Sequence, residues 1–396
     1  MKNGLLNKCI FYSFQGSNIL VDLGNLYEES ITNHIIDDLF NYNSIDETKT
    51  NILVLTWSRY FSEYYNEPSE KREHFKQGFV FTKKFFEIIS KLSNKGFHFM
   101  IDNVMEADTF ITPELVFFLE KFRQIGIDEN KLILVYNNSI DLNGKLVNIR
   151  DFKINTLHFP HFFISTLFEL PEPTKTKFKK EKDFLILNRR FGIGKYKLLK
   201  ILKNRGLLEK SIYTILQVLP ELDGVNEFEI EGIRNDIANI DDVVKDDTYL
   251  YKLNTDVFFK TKLNIVAETF LDYKDKDRFN DIIHITEKTW KPIYMGVPFV
   301  ISASNNHIET LHKFGFKTFN TIIDEKYDIE IDIDTKLNKV VDAAVDLVNK
   351  FDTKEVLDIT KYNSNLFKSI EHKREIIETF FLKPFEKLVR KQSSLI

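Results

Sequence analysis

The chain has 396 residues but only one cysteine, 14 glycines and 9 prolines. Cys9 alone cannot close an intrachain disulfide, and a single thiol excludes any metal centre built on several cysteines. The scarcity of glycine and proline excludes collagen-like and low-complexity architectures and leaves few interruptions to helices and strands. No apolar run reaches the ~20 residues that a membrane-spanning helix needs. The N-terminal Met1-Lys2-Asn3-Gly4-Leu5-Leu6-Asn7-Lys8 also lacks the continuous apolar stretch of a signal peptide. Charge of neither sign dominates. Lys and Arg number 55 against 59 Asp and Glu, a formal net charge of −4, so nothing in the total demands a polyanionic partner. A reducing, cytoplasmic setting is the simplest reading of these absences.

What the chain does have is aromatic bulk. Phenylalanine alone accounts for 37 residues, and a hydrophobic content of 43% is ample for globular cores. The length exceeds what one core comfortably serves, so two domains are expected. Asn51-Ile-Leu-Val-Leu-Thr-Trp57, Phe97-His-Phe-Met-Ile-Asp102 and Lys131-Leu-Ile-Leu-Val-Tyr136 are apolar runs of strand length. Between them, 78–92 and 112–125 carry apolar residues near a 3.6-residue period, the second capped by Thr112 before Pro113. This order predicts a parallel sheet with right-handed crossovers, whose ligands sit beyond the carboxyl ends of the strands.

A composition break follows at 171–182, where two prolines and five lysines with few apolar residues read as an interdomain linker. The alternation then restarts. Strands are expected at 183–188, 211–217, 263–267 and 297–302, and helices at 195–205, 286–295 and 306–314. Two closing helices are expected over 336–351 and 363–389. The predicted fold class is therefore α/β, with a Rossmann-like domain over 1–170, a linker over 171–182, a second Rossmann-like domain over 183–350 and C-terminal helices over 351–396.

The most informative stretch is Asp281-Ile-Ile-His-Ile-Thr-Glu-Lys-Thr-Trp-Lys-Pro-Ile-Tyr-Met-Gly-Val-Pro-Phe-Val-Ile301. Thr286 is placed to cap a short amphipathic helix that ends at Gly296 and feeds a buried strand. The first-turn amides carry partial positive charge, Lys288 and Lys291 add two full charges, and Glu287 offers a bidentate acceptor. Such a corner holds a diphosphate with its cations and a ribose diol with its carboxylate. Upstream, Asn188, Arg189 and Arg190 follow an apolar strand, where a guanidinium fork suits a diphosphate. Gly192 and Gly194 let backbone amides approach the same anion. The competing reading of that run is a solvated basic turn. Glu268, after the apolar 263–267, is either a ligand contact or a helix cap.

Three further groups carry two readings each. Asp102, Glu106 and Asp108 follow an N-terminal strand and offer a general base, or simply an acidic turn with Asp108 or Thr109 capping the next helix. The 302–306 loop, Ser-Ala-Ser-Asn-Asn, faces a base or sugar, or supplies a plain helix cap through Asn305 or Asn306. Asp275-Lys-Asp277 has the form of a manganese ligand pair, but no apolar strand delivers it and a solvated loop is the better reading. His158 and His161, among aromatics, read as core or interface residues, so no metal is expected.

Asn-Arg-Arg at 188–190, Ala-Glu-Thr at 267–269, Thr-Glu-Lys-Thr-Trp-Lys-Pro at 286–292 and Gly-Phe-Lys-Thr-Phe at 315–319 occur in that order. This resembles the donor-binding half of two-domain (GT-B) glycosyltransferases, including fucosyltransferase-like and phage-encoded members. The resemblance covers about 183–319. It implies two Rossmann-like domains facing across a cleft, with the last helices packing back over the hinge. It also implies transfer of a hexosyl or pentosyl group from a nucleoside-diphosphate sugar, without a metal or other cofactor. In that scheme Glu287 contacts ribose, Lys288 contacts phosphate and Arg189 or Arg190 grips the diphosphate. The acceptor is a glycan, a small molecule or DNA, the last as in phage enzymes that modify DNA bases. A non-catalytic nucleotide- or sugar-binding module is the alternative from another class.

Overall fold

The structure, a computed structural model, describes residues 9–13, 18–27, 33–35, 49–56, 83–103, 113–137, 146–149, 151–171, 179–218, 255–268 and 283–393. The chain divides into two compact units, one of residues 1–161 with 373–396 and one of residues 162–372. It leaves the first unit between His161 and Phe162 and re-enters it between His372 and Lys373, so the lysine-rich 171–182 falls within the second unit.

The first unit is built on a seven-stranded sheet. Its strands are β1 (Cys9–Ser13), β2 (Asn33–Ile35), β3 (Thr50–Thr56), β4 (His98–Asn103), β5 (Leu132–Tyr136), β6 (Leu146–Ile149) and β7 (Phe152–His158), in the order β2-β1-β3-β4-β5-β7-β6. All pairings are parallel except β6 with β7. The expected β-α-β-α-β order is present as β3, α2 (Lys83–Asn94), β4, α3 (Pro113–Gln124) and β5. Apolar side chains on both faces of β3, β4 and β5 are buried, as a central parallel sheet with two covered faces requires. Leu53, Phe99, Ile101, Phe118, Phe122 and Leu134 share one core.

The C-terminal return closes this core. Phe385, on α12 (Lys383–Ser393), meets Phe11 of β1 with ring centroids 6.5 Å apart. Arg374, on α11 (Ile370–Ile377), donates from Nε to the Leu26 carbonyl at 2.7 Å. It thereby satisfies an open carbonyl at the end of α1 (Asn18–Tyr27) and favours that negative helix terminus. The single closing helix expected over 363–389 is in fact three helical pieces. The chain breaks at Ser369, an extended residue that ends α10 (Lys354–Lys368), and loosens into a π turn at Glu378–Leu382.

The second unit carries a four-stranded, wholly parallel sheet in the order β11-β10-β8-β9. Its strands are β8 (Lys182–Phe191), β9 (Ser211–Val218), β10 (Thr261–Ala267) and β11 (Phe299–Ser302). The helices around it include α4 (His161–Glu169), α5 (Ile193–Asn204), α7 (Glu287–Met295), α8 (His307–Lys313) and α9 (Ile333–Val348), with the short α6 (Asp256–Lys260) before β10. β8 runs three residues beyond the expected end at Asn188, because pairing with β9 continues to Phe191↔Val218.

An aromatic cluster fixes α7. Trp290 is 1% exposed and stacks on Phe314 at 5.8 Å with an interplanar angle of 7°. Phe163, Phe316 and Phe367 surround it at 5.0, 5.5 and 5.7 Å. Burial of an indole and offset ring contacts both favour this packing. Trp290→Ala is therefore expected to destabilise the second unit by about 3–5 kcal/mol, the usual cost of emptying a large aromatic site. Urea unfolding of the variant against the parent measures it, and a loss below about 1 kcal/mol would contradict the anchoring role.

Candidate functional site

In the second sheet the chain moves from β8 to β9 on one side and then crosses to β10 on the other. The direction of winding therefore reverses between β8 and β10, the switch point at whose carboxyl edge ligands of open α/β sheets sit. The register of β8 with β10 runs from Thr261↔Lys182 to Asn264↔Leu185 and, among the described residues, goes no further. Beyond it β8 pairs with β9 to Phe191↔Val218, and β10 pairs with β11 to Ala267↔Ser302. The two middle strands thus part over their last residues. Their carboxyl ends deliver Asn188 to Gly192 on one side and Glu268 on the other.

Helix α7 starts at this edge. Thr286 is its N-cap, with extended backbone, and its Oγ1 accepts from Lys288 N at 3.3 Å. The same hydroxyl accepts from Lys288 Nζ at 3.2 Å and donates to Glu268 Oε2 at 2.7 Å. Glu268 Oε1 accepts from Thr286 N at 3.1 Å and from Thr289 Oγ1 at 2.7 Å. Of the two readings of Glu268, the structure gives the cap: the carboxylate is 1% exposed and takes three donors from the start of α7. The helix ends as expected at Gly296, whose φ of 68° is left-handed and favours glycine. Val297 N then donates back to Pro292 O at 3.1 Å.

Glu287 is the first helical residue and is 3% exposed. Burial alone would raise its pKa, but Lys288, Lys291 and its own backbone amide outweigh it and hold it at about 2. Lys288 Nζ lies 3.6 Å from Glu287 Oε1, and the lysine side chain keeps 20% exposure. Lys291, one turn on, is buried. Burial likewise opposes ionisation of Glu268, and Lys288, His307 and the Thr286 hydroxyl reverse it, so its pKa is lowered. Two ionised carboxylates and two lysines are thus gathered at a helix N-terminus whose partial positive charge favours an anion.

The 302–306 loop is held from below. Lys336 Nζ, on α9, donates to Ala303 O at 2.8 Å and to Asn305 Oδ1 at 2.7 Å. Asp328 accepts from His307 N at 3.2 Å and Ile308 N at 3.1 Å, so it caps α8. Of the two readings of this loop, the cap by Asn305 or Asn306 is not formed. Asn306 sits at the N-cap position with a φ of 66° and no side-chain cap bond, and Asn305 is engaged by Lys336.

The β8 side is fixed by its neighbour strand. Asn188 is fully buried, its N donates to Thr214 Oγ1 at 2.9 Å, and Thr214 Oγ1 donates back to Asn188 O at 3.2 Å. Its side-chain amide has no hydrogen-bond partner among the described residues. The backbones of Arg189 and Arg190 lie in β8, and their side chains fall outside the described residues. Gly192 is the N-cap of α5 and supplies no side-chain cap bond. Sequence reasoning missed Lys195. It is 7% exposed in the first turn of α5, and a lysine directly after Gly192-Ile-Gly194 was the available signal.

In the first unit Asp102 ends β4, is 1% exposed and accepts from Ile19 N at 3.5 Å. That contact is one a cap on α1 makes. Beside it, Asp22 and His161 pair at 2.6 Å. Glu106, Asp108, Thr109, Thr112, Asp275 and Asp277 lie outside the described residues.

No family model matches the chain, and no curated protein matches it in sequence. Solved structures match over nearly the whole length. A phage T4 BGT point mutant in complex with UDP-glucose is 12% identical, with 94% of this chain and 99% of that one covered and a TM-score of 0.42. An Escherichia coli trehalose-6-phosphate protein bound to UDP-2-fluoro glucose is 11% identical, with 94% and 98% covered and a TM-score of 0.40. A UDP-forming α,α-trehalose-phosphate synthase from Burkholderia xenovorans is 8% identical, with 91% and 97% covered and a TM-score of 0.40. Similarities this modest carry no weight about chemistry.

The electrostatics yield a pH prediction. A carboxylate whose folded pKa is depressed stabilises the fold above its unfolded pKa, and that stability is lost as pH falls through the folded value. For Glu287 the window runs from its ordinary 4.5 down to about 2. Glu287→Gln should therefore lose about 3 kcal/mol at neutral pH and flatten the acid limb of stability. Urea midpoints measured from pH 2 to 6 test it, and parallel acid limbs in the two proteins would contradict it.

Proposed function

We propose that the protein is a glycosyltransferase that binds a nucleoside-diphosphate sugar in its second unit and passes the sugar to an acceptor hydroxyl. One observation carries this reading: Glu287, buried and ionised, has Lys288 and Lys291 beside it at the capped start of α7, at the switch point of a parallel sheet. A buried anion fenced by cations at such an edge suits a ligand with neutral hydroxyls and negative oxygens close together. The Glu287 carboxylate accepts from the two ribose hydroxyls. Lys288, Lys291 and the α7 amides take the diphosphate from one side. Arg189, Arg190 and Lys195, at the junction of β8 and α5, take it from the other.

In the transfer, the bond between the anomeric carbon and the diphosphate oxygen breaks and the acceptor oxygen bonds to that carbon. The diphosphate leaves with the electron pair, and fixed positive groups already aimed at it stabilise the developing charge. These side chains do the work that a divalent cation does elsewhere, which supports a metal-independent reaction. Of the three acids Asp102, Glu106 and Asp108, Glu106 is assigned the base that takes the acceptor proton, because Asp102 accepts from Ile19 N of α1.

Calorimetric titration tests the donor roles. Glu287→Gln should weaken nucleoside and nucleoside-diphosphate binding alike by about tenfold or more, as expected for losing hydrogen bonds to a charged group. Unchanged affinity in a folded variant removes the ribose assignment. Lys288→Ala should weaken the diphosphate and spare the nucleoside; equal losses for both remove its phosphate role. Glu106→Gln should cut turnover by about 10²-fold or more with donor affinity intact, within the usual range for a general base. Full turnover in that variant would exclude Glu106.

A further inference from the structure

His307 opens α8 and is 1% exposed, and its ring joins two segments of the site. Nδ1 lies 3.0 Å from Ser304 O, and Nε2 lies 3.2 Å from His284 O. Both partners are backbone carbonyls, which only accept hydrogen bonds. A neutral imidazole carries one N–H and would point its other nitrogen's lone pair at a carbonyl oxygen. The Ser304 hydroxyl lies farther from Nδ1, at 3.4 Å, than the Ser304 carbonyl does. The imidazolium meets both carbonyls with N–H.

We infer that His307 is a positioning residue, doubly protonated in the folded protein, that ties the 302–306 loop to the segment leading into Thr286 and Glu287 and so sets the donor pocket. The inference rests on the donor site proposed above. His284 lies in residues 283–286, two positions before the α7 cap, so the Nε2–H bond fixes the approach of the chain to Glu287. The Nδ1–H bond fixes the loop on the other side, which Lys336 and Asp328 also hold. A neutral His307 keeps one of these ties and drops the other.

Asp328, before α9, and Glu268, at the end of β10, are carboxylates whose charge interacts with the ring. Lys288 of α7 stands by Glu268 and Lys336 of α9 by Asp328. His284 stays neutral, its pKa pulled down to about 4 by burial.

Two measurements on the full chain test this. The first is the long-range 1H–15N spectrum of the labelled protein at neutral pH, with the His307 signals assigned by their loss in His307→Gln. Both ring nitrogens are expected at the shift of protonated nitrogen; one nitrogen at the unprotonated shift overturns the inference. The second is calorimetric affinity for the best-binding common nucleoside diphosphate at neutral pH. His307→Gln should be about tenfold weaker than the parent. Equal affinities overturn the positioning role and leave the donor site standing. No binding of any nucleoside diphosphate by the parent overturns the donor site and this role with it, while the nitrogen shifts still decide the protonation state.

Discussion

A single carboxylate organises the second unit's carboxyl edge. Glu268 ends β10 and accepts from Thr286 N, Thr286 Oγ1 and Thr289 Oγ1, so strand and helix are joined by three bonds to one buried group. Without it those donors would be buried and unmade, at a cost of about 1–3 kcal/mol each. Its effect on geometry matters more than its effect on stability. With Thr286 pinned, the first turn of α7 cannot rotate, and Glu287 and Lys288 are presented in one orientation. The aromatic packing of Trp290 against Phe314, Phe316 and Phe367 fixes the same helix one turn further on.

The site concentrates charge where burial opposes it. Two glutamates at 1% and 3% exposure remain ionised because Lys288 stands near both, the Thr286 and Thr289 hydroxyls donate to Glu268, and Lys291 lies near Glu287. Such an arrangement is stable only when each charge is answered, and breaking one member leaves another exposed to the low-dielectric interior. The same property suits a ligand that carries both hydroxyls and phosphates. It replaces the water at a corner whose polar groups are already oriented, so little is lost in ordering them.

Much of this was legible in the sequence, and the reasons are local. The apolar runs at 51–57, 97–102 and 131–136 mark β3, β4 and β5 to within a residue, because parallel sheets bury both faces. Thr286 and Gly296 bound α7 because a hydroxyl caps an N-terminus and a glycine takes the left-handed turn. What escaped is carried by residues distant along the chain. Asp328 caps a helix that begins 21 positions earlier, so the local asparagines at 305 and 306 were natural but wrong candidates. Glu268 reaches 18 positions to Thr286, which left cap and ligand contact undecided until both ends were in view. The length of β8 was set by β9 rather than by its own apolar run, and Lys195 reads as an ordinary surface lysine until its burial is seen. The passage between units at His161 and Phe162 has no composition break, because both sides are buried: His161 pairs with Asp22, and Phe163 packs on Trp290.

The central claim is that a nucleoside diphosphate sits on the start of α7 beside the end of β8. Amide hydrogen exchange on the full chain, with and without a saturating nucleoside diphosphate, tests it most directly. The account predicts slowed exchange in the first turns of α7 and α5, over 287–290 and 193–196, with the first unit's strands unchanged. Binding that leaves both turns unprotected, or that protects a different part of the chain, would contradict it.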